Sequence, residues 1–195
     1  LCFDAWRKWE GKEQPGFWVD MDMIPFGQLQ LMSPPSSDSA KTVMDKGDIA
    51  LAGKGVSRRC QLNSDQMETF ITMRALAASP LMMGGDLPTL DEFSLKLITD
   101  PDMLACNQNG VMGSLIHAKE NIEVWKSEKR GSSEAAWVAV FNRSEVVKTF
   151  VLSTTTLGLK ESPSISLRNI WKKSKLDLNE PVKIPANGVI FIAVN

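Results

Sequence analysis

The chain carries two hydrophobic rhythms, and the change between them falls near Asn109-Gly110. Upstream, apolar residues recur at helical spacing: Leu1, Phe3, Trp6 and Trp9, then Met67, Phe70, Ile71, Ala75 and Ala78. A third helix carries Phe93, Leu95, Leu97 and Ile98. Asp65 with Glu68, and Thr89 with Glu92, have the spacing of capping boxes and predict where the second and third helices start. Ser79-Pro80 ends the second. Between the helices lie short apolar runs, "FWV" at 17–19 and "LMM" at 81–83, which read as buried strands. Helix, strand, helix, strand, helix is the order of βα units in a parallel sheet.

Downstream the runs are short and rich in β-branched and aromatic residues: "IEVWK", "AAWVAVFN", "VVKTFVLS", "ISLRNIW" and "GVIFIAV". Turn-rich stretches such as "EKRGSSE", "NRSE" and "NEPVKIPANG" separate them, which predicts an antiparallel β-sandwich. Upstream, "SPPSSDS" and "GKG" lie within the long segment 28–62 and mark an exposed loop or insertion.

Composition narrows the function classes. With 43% hydrophobic residues in 195, the chain can bury a core, as one large domain or two small ones. Lysines and arginines number 22 against 23 acids, and no basic run with interleaved aromatics marks a phosphate-tracking face, so no nucleic-acid partner is expected. The densest basic spots, Arg58-Arg59 and Lys172, Lys173, Lys175, read as solvated surface. Cys2, Cys60 and Cys106 are far apart and form no CxxC, which suggests neither a zinc site nor a disulfide framework. No apolar stretch has the length of a membrane span. The chain opens at Leu1 inside a helical pattern, the expectation for the C-terminal piece of a longer polypeptide.

Several residues invite a chemical reading that their surroundings do not support. Gly84, Gly85 and Asp86 follow an apolar run, but no GK[ST] comes after them, so they read as a structural turn. His117 has no nucleophile elbow to serve and reads as a surface or interface side chain. Cys106 reads as a small buried filler. Asn142-Arg143-Ser144 fits a glycosylation acceptor. Trp125, Trp137 and Trp171 could stack on sugars, although packing between the two sheets is the simpler use.

The segment "GFWVDMDMIPFG" is of another kind, because it places Asp20 and Asp22 one residue apart after an apolar run. On its own, such a pair fits a loop brace or a weak cation site as well as a ligand. In context, "FWVDMDMI" resembles the W-x-D-x-D-M signature of the clan D glycoside hydrolases, the α-galactosidase and α-N-acetylgalactosaminidase families. "MRALAASPLMMGGDL" resembles their helix and final barrel strand, and "LITDPDMLACNQN" the motif that follows. "VAVFNRS", "IWKK" and "IPANGVIFIAV" resemble their closing β domain, and "FDAWRKW" a helix that precedes the aspartate signature in bacterial members. The resemblance runs along nearly the whole chain in the right order. It departs where Val19 stands in place of Asn, where Met21 stands in place of Pro, and across 36–55.

This resemblance implies an α/β plus all-β fold: the last βα units of a (β/α)8 barrel in 1–109, with an insertion at about 36–55, then an antiparallel β-sandwich in 110–195. Barrel sites form at the C-terminal ends of the strands. By position, Asp22 and Met23 would line the sugar subsite, Asp20 would brace the loop, and Trp18 suits either the site or the core. The family retains anomeric configuration with one aspartate after strand four and another after strand six, both upstream of Leu1, and Asp4 is no substitute. No catalytic residue is therefore expected within this chain, nor any cofactor or metal. A carbohydrate substrate and the upstream barrel segment of the same enzyme are the implied partners, in a secreted, periplasmic or lysosomal-type setting. A non-catalytic carbohydrate-binding or interaction module made chiefly of the sandwich is the rival reading.

Overall fold

The computed structural model describes residues 2–12, 14, 16–31 and 56–195. The insertion at 36–55 lies outside them. In chain order the elements are α1 (Cys2–Trp9), β1 (Gln28–Leu31), β2 (Val56–Arg59), α2 (Ser64–Leu76), a 3-10 turn (Leu87–Thr89), α3 (Glu92–Thr99) and α4 (Pro101–Asn109). Eight strands follow: β3 (Ser114–Lys119), β4 (Ile122–Glu128), β5 (Ala135–Asn142), β6 (Lys148–Val151), β7 (Leu167–Asn169), β8 (Ser174–Leu176), β9 (Pro181–Ile184) and β10 (Val189–Val194). They gather into two compact units. The first is Leu1–Met21, Leu62–Pro80 and Leu97–Asn195; the second is Asp22–Gln61 and Leu81–Lys96.

The first unit is built on a six-stranded antiparallel sheet ordered β3-β4-β5-β10-β7-β8, with β6 and β9 forming a separate antiparallel pair. The antiparallel expectation is met, and the register explains the sequence. Val124, Val140 and Ile190 lie in one cross-strand row, while Trp125, Ala139 and Phe191 lie in the next and point to the other face. Both faces are covered. Val124, Val138, Val140, Ile190 and Ile192 form a core with Leu152 and Leu157, beyond β6, and Ile184 of β9. On the opposite face Trp6 of α1 stacks on Trp125, ring centroids 3.7 Å apart, and Phe3 meets Phe141 edge-on at 5.0 Å. Burial on two sides is why β5 and β10 read as continuous apolar runs rather than alternating ones. It also corrects one expectation: Trp125 packs against a helix and not between two sheets.

Charged groups tie helices to the sheet. The buried carboxylate of Glu123 accepts from the Trp125 indole N–H at 2.9 Å, and it pairs with Arg7 of α1 at 2.8 Å and with Arg143. Asp102 on α4 takes a bidentate pair from Arg168 of β7, both bonds 2.9 Å, and a third from Lys173 at 2.8 Å. The Arg168 hydrogen bonds hold its pKa down at about 2, against the opposing pull of partial burial.

The helices lie where the periodicity places them, but their caps differ. Asn63, not Asp65, opens α2: its Oδ1 accepts from the Gln66 N–H at 2.9 Å, and Gln66 Oε1 accepts in return from the Asn63 N–H at 3.1 Å. Asp91, not Thr89, accepts from the Ser94 N–H at 2.7 Å at the start of α3. Thr89 turns the other way and serves β1. The third predicted helix is α3, and a helix the periodicity did not mark, α4, follows at once, with Asp100 capping it through the Asp102 and Met103 N–H groups.

In the second unit β1 and β2 pair antiparallel, Gln28 opposite Arg59 and Leu31 opposite Val56, so the ends of the long loop-like segment form a ladder that its composition hid. The predicted strand at 17–19 joins no ladder among the described residues, and Phe17 and Trp18 are exposed. Among the described residues the run at 81–83 forms one bridge, a parallel one from Met83 to Ile24. Three apolar residues suffice for an extended segment, but a strand also needs a neighbour to take its backbone bonds.

Candidate functional site

Residues 18–22 alternate outward and inward: Trp18, Asp20 and Asp22 are exposed, Val19 and Met21 are buried. Asp22 then adopts φ of 69°, a left-handed conformation that Asp tolerates better than most residues, and the alternation breaks. Met23 is consequently 55% exposed, where period two would have buried it. The two methionines after the two acids thus have different jobs: Met21 belongs to the core, and Met23 presents a flexible apolar surface beside a carboxylate.

Side chains at and after the end of α2 fix the backbone of Met21. Its N–H donates to the Ser79 hydroxyl at 3.0 Å, and its carbonyl accepts from the Arg74 guanidinium. Arg74 is 1% exposed, lies 3.4 Å above the Phe70 ring and also donates to the Phe70 carbonyl at 3.3 Å. Asn107 of α4 donates from Nδ2 to the Ser79 carbonyl at 2.8 Å. Sequence reasoning passed over Arg74 and Ser79. The available signal was a lone charge inside the otherwise apolar "ITMRALAA", which a buried position tolerates only with partners.

In the second unit, the Asp22 carboxylate accepts from the Met23 N–H at 2.7 Å. The next residue begins a set of backbone bonds: Ile24 N–H to the Met82 carbonyl at 2.7 Å, Gly84 N–H to the Ile24 carbonyl and Asp86 N–H to the Gln28 carbonyl, both 2.9 Å. Two glycines permit this approach. A Cβ on Gly84 would lie 2.7 Å from the Met23 Cβ, and one on Gly85 would lie 1.6 Å from the Phe26 carbonyl oxygen. Thr89 completes the turn, accepting from the Gln28 N–H at 2.8 Å and donating to the Asp86 carbonyl at 2.6 Å.

Of the three residues expected to touch substrate, Asp22 and Met23 are adjacent in the second unit, whereas Trp18 belongs to the first. Half exposed, Trp18 walls a hollow of about 280 Å³ with Pro80, Asn107, Gln108 and Arg130. A larger hollow of about 810 Å³ borders β4 and β5, and the mixed charges of Lys126, Glu134, Lys160 and Glu161 on its walls select no one ligand chemistry.

The other candidates resolve as structural groups. His117 is half-buried on β3 with its ring 6.3 Å from Phe150. Cys106 is fully buried, and burial pushes its thiol pKa well up. Asn142 is 1% exposed, and its Nδ2 donates to the carbonyls of Val146 and Pro185, each at 2.8 Å, and of Ile184 at 3.2 Å. The sequon is therefore spent on the fold. Among the described residues no group of three or more His, Cys, Asp and Glu is placed to hold a metal ion, and no helix is long and apolar enough to cross a membrane.

No protein-family model matches the chain. Among curated proteins it is 27% identical over 119 residues to an α-galactosidase of Cyamopsis tetragonoloba, covering 60% of this chain and 28% of that protein. It is 22% identical over 176 residues to α-galactosidase 2 of Arabidopsis thaliana, covering 89% of this chain and 36% of that one. Among solved structures, a GH27 β-L-arabinopyranosidase from Geobacillus stearothermophilus superposes with a TM-score of 0.78 at 26% identity, over 99% of this chain and 40% of that chain. The chain thus spans well under half the length of these relatives. Over nearly its whole length the chain is similar to one part of α-galactosidases and of a GH27 enzyme.

Proposed function

We propose that this chain is the C-terminal portion of a retaining glycoside hydrolase that removes terminal α-linked galactose-type sugars. Residues 1–109 supply barrel strands seven and eight with their helices, residues 110–195 supply the closing β-sandwich, and the catalytic aspartates lie upstream. The similarity to α-galactosidases supports the enzyme class. The parallel bridge between Ile24 and Met83, with Met83 between α2 and α3 in chain order, supports neighbouring barrel strands.

The observation that carries the site is the exposed pair Asp22 and Met23, one residue before the bridge. A carboxylate there accepts hydrogen bonds from sugar hydroxyls, charge-assisted and strengthened as the site excludes water, while Met23 lies against the ring. Retaining hydrolysis needs two further carboxyl groups about 5 to 5.5 Å apart across the glycosidic bond. The upstream segment provides them, so these 195 residues alone bind sugar at most and do not turn it over.

Asp22→Asn in the complete enzyme tests the assignment. It keeps the shape but weakens the acceptor, and KM for an aryl α-galactoside should rise by about ten- to a hundredfold, with an unchanged circular dichroism spectrum. An unaltered KM and kcat would remove Asp22 from the subsite.

A further inference from the structure

We propose that Arg74 and Ser79 are positioning residues that set Asp22 for substrate, an inference that rests on Asp22 being a sugar ligand. Both polar backbone atoms of Met21 are satisfied by side chains, where a paired strand would use a neighbouring backbone. The Met21 carbonyl and the Asp22 N–H belong to one rigid peptide plane. The guanidinium that holds that carbonyl therefore fixes the direction in which the chain enters Asp22, the residue with φ of 69°. Ser79 holds the plane before it, through the Met21 N–H.

The two holders are themselves fixed. Arg74 is pinned by the Phe70 ring and the Phe70 carbonyl, and Ser79 is held through its own carbonyl by Asn107. A buried guanidinium costs desolvation that a leucine or methionine would not, so packing alone does not account for arginine at this position. Its planar fork can stack on an aromatic ring and still direct a donor at a carbonyl, which lysine cannot reproduce. The arrangement makes a carboxylate on an exposed turn precise, because its anchor is interior and preorganised.

The test uses the complete enzyme carrying Ser79→Ala, Arg74→Lys, Asp22→Asn and the double variant Ser79→Ala/Asp22→Asn, with kcat and KM on an aryl α-galactoside and Tm for each. Ser79→Ala and Arg74→Lys should each raise KM about three- to tenfold while kcat stays within about twofold. The double variant should show the KM of Asp22→Asn alone, because Ser79 acts through Asp22 and has nothing left to position. Multiplying KM effects in the double variant, or a lowered Tm with unchanged KM in Ser79→Ala, would overturn the proposal and leave both residues structural. Should Asp22→Asn itself leave KM unchanged, the sugar-ligand reading falls first and this one with it. If Arg74→Lys does not fold, Ser79→Ala, which removes a single hydroxyl, decides the matter.

Discussion

The six-stranded sheet and the segment around Asp22 both bring extended chain together, but they do so with different resources. In the sheet, β4, β5 and β10 have a neighbour on each edge and a layer on each face, helices on one side and β6 with β9 on the other. Around Asp22 the chain is joined by a few backbone bonds to the 82–86 turn and by glycines that let two backbones touch, while Met23, Met82, Leu87 and Leu95 remain exposed. The sheet is secured by redundant burial, so no single contact decides its form. The Asp22 region is secured by exclusion of side chains, so a single added atom can undo it.

Gly85→Ala should therefore have the largest effect. The new Cβ would fall 1.6 Å from backbone, which cannot yield as a flexible side chain does, and the cost should exceed about 3 kcal/mol. Amide exchange at Ile24, Gly84 and Asp86 should become rapid while β5 and β10 stay protected; uniform loss of protection would mean that the two regions are not separately secured. Leu152→Ala is the converse, a cavity between the sheet and β6-β9 costing about 2 to 4 kcal/mol, read as a lowered urea midpoint with exchange at Gly84 unchanged.

A smaller effect separates the regions by pH. Glu68 on α2 has its pKa raised from the ordinary 4.5 to about 7, by burial first and then by the charge of Asp65, with Lys172 partly offsetting both. The folded state holds the proton more tightly, so this contribution is full below pH 4.5, declines as pH rises from 4.5 to about 7 and is constant above. Glu68→Gln should flatten that decline and raise stability at pH 8 by about 1 kcal/mol once solvent screening is allowed for, measured as Tm against pH. An equal slope in both proteins would place the titration elsewhere.

How far each region was legible follows from the same contrast. β5 and β10 declare themselves because burial on both faces demands unbroken β-branched and aromatic runs. β3 and β9 do not: "SLIHAK" lies on a sheet edge and half of it meets solvent, while "PVKI" opens on a proline that passed for a turn. The caps were misplaced because Asn63 with Gln66 and Asp65 with Glu68 offer overlapping patterns two residues apart, and only the backbone geometry at Asn63 distinguishes them. Asp22 was visible through its signature, but its positive φ was not, since Asp tolerates the left-handed region without requiring it and no Gly or Asn stands beside it. Arg74 and Ser79 lie more than fifty residues beyond the backbone they hold, a relation that no local pattern encodes.

Asn142 carries a consequence for biosynthesis. The amide that an oligosaccharide would occupy is spent on three carbonyls, two of them at the end of β9 and beyond it, some forty residues later in the chain. A transferase can read Asn-Arg-Ser only while the later residues are still unmade or undocked, and a glycan added in that interval would keep β9 from closing over β5. In a host that decorates such sites, the sequon becomes a race between synthesis and modification, and the folded product records which of them arrived first.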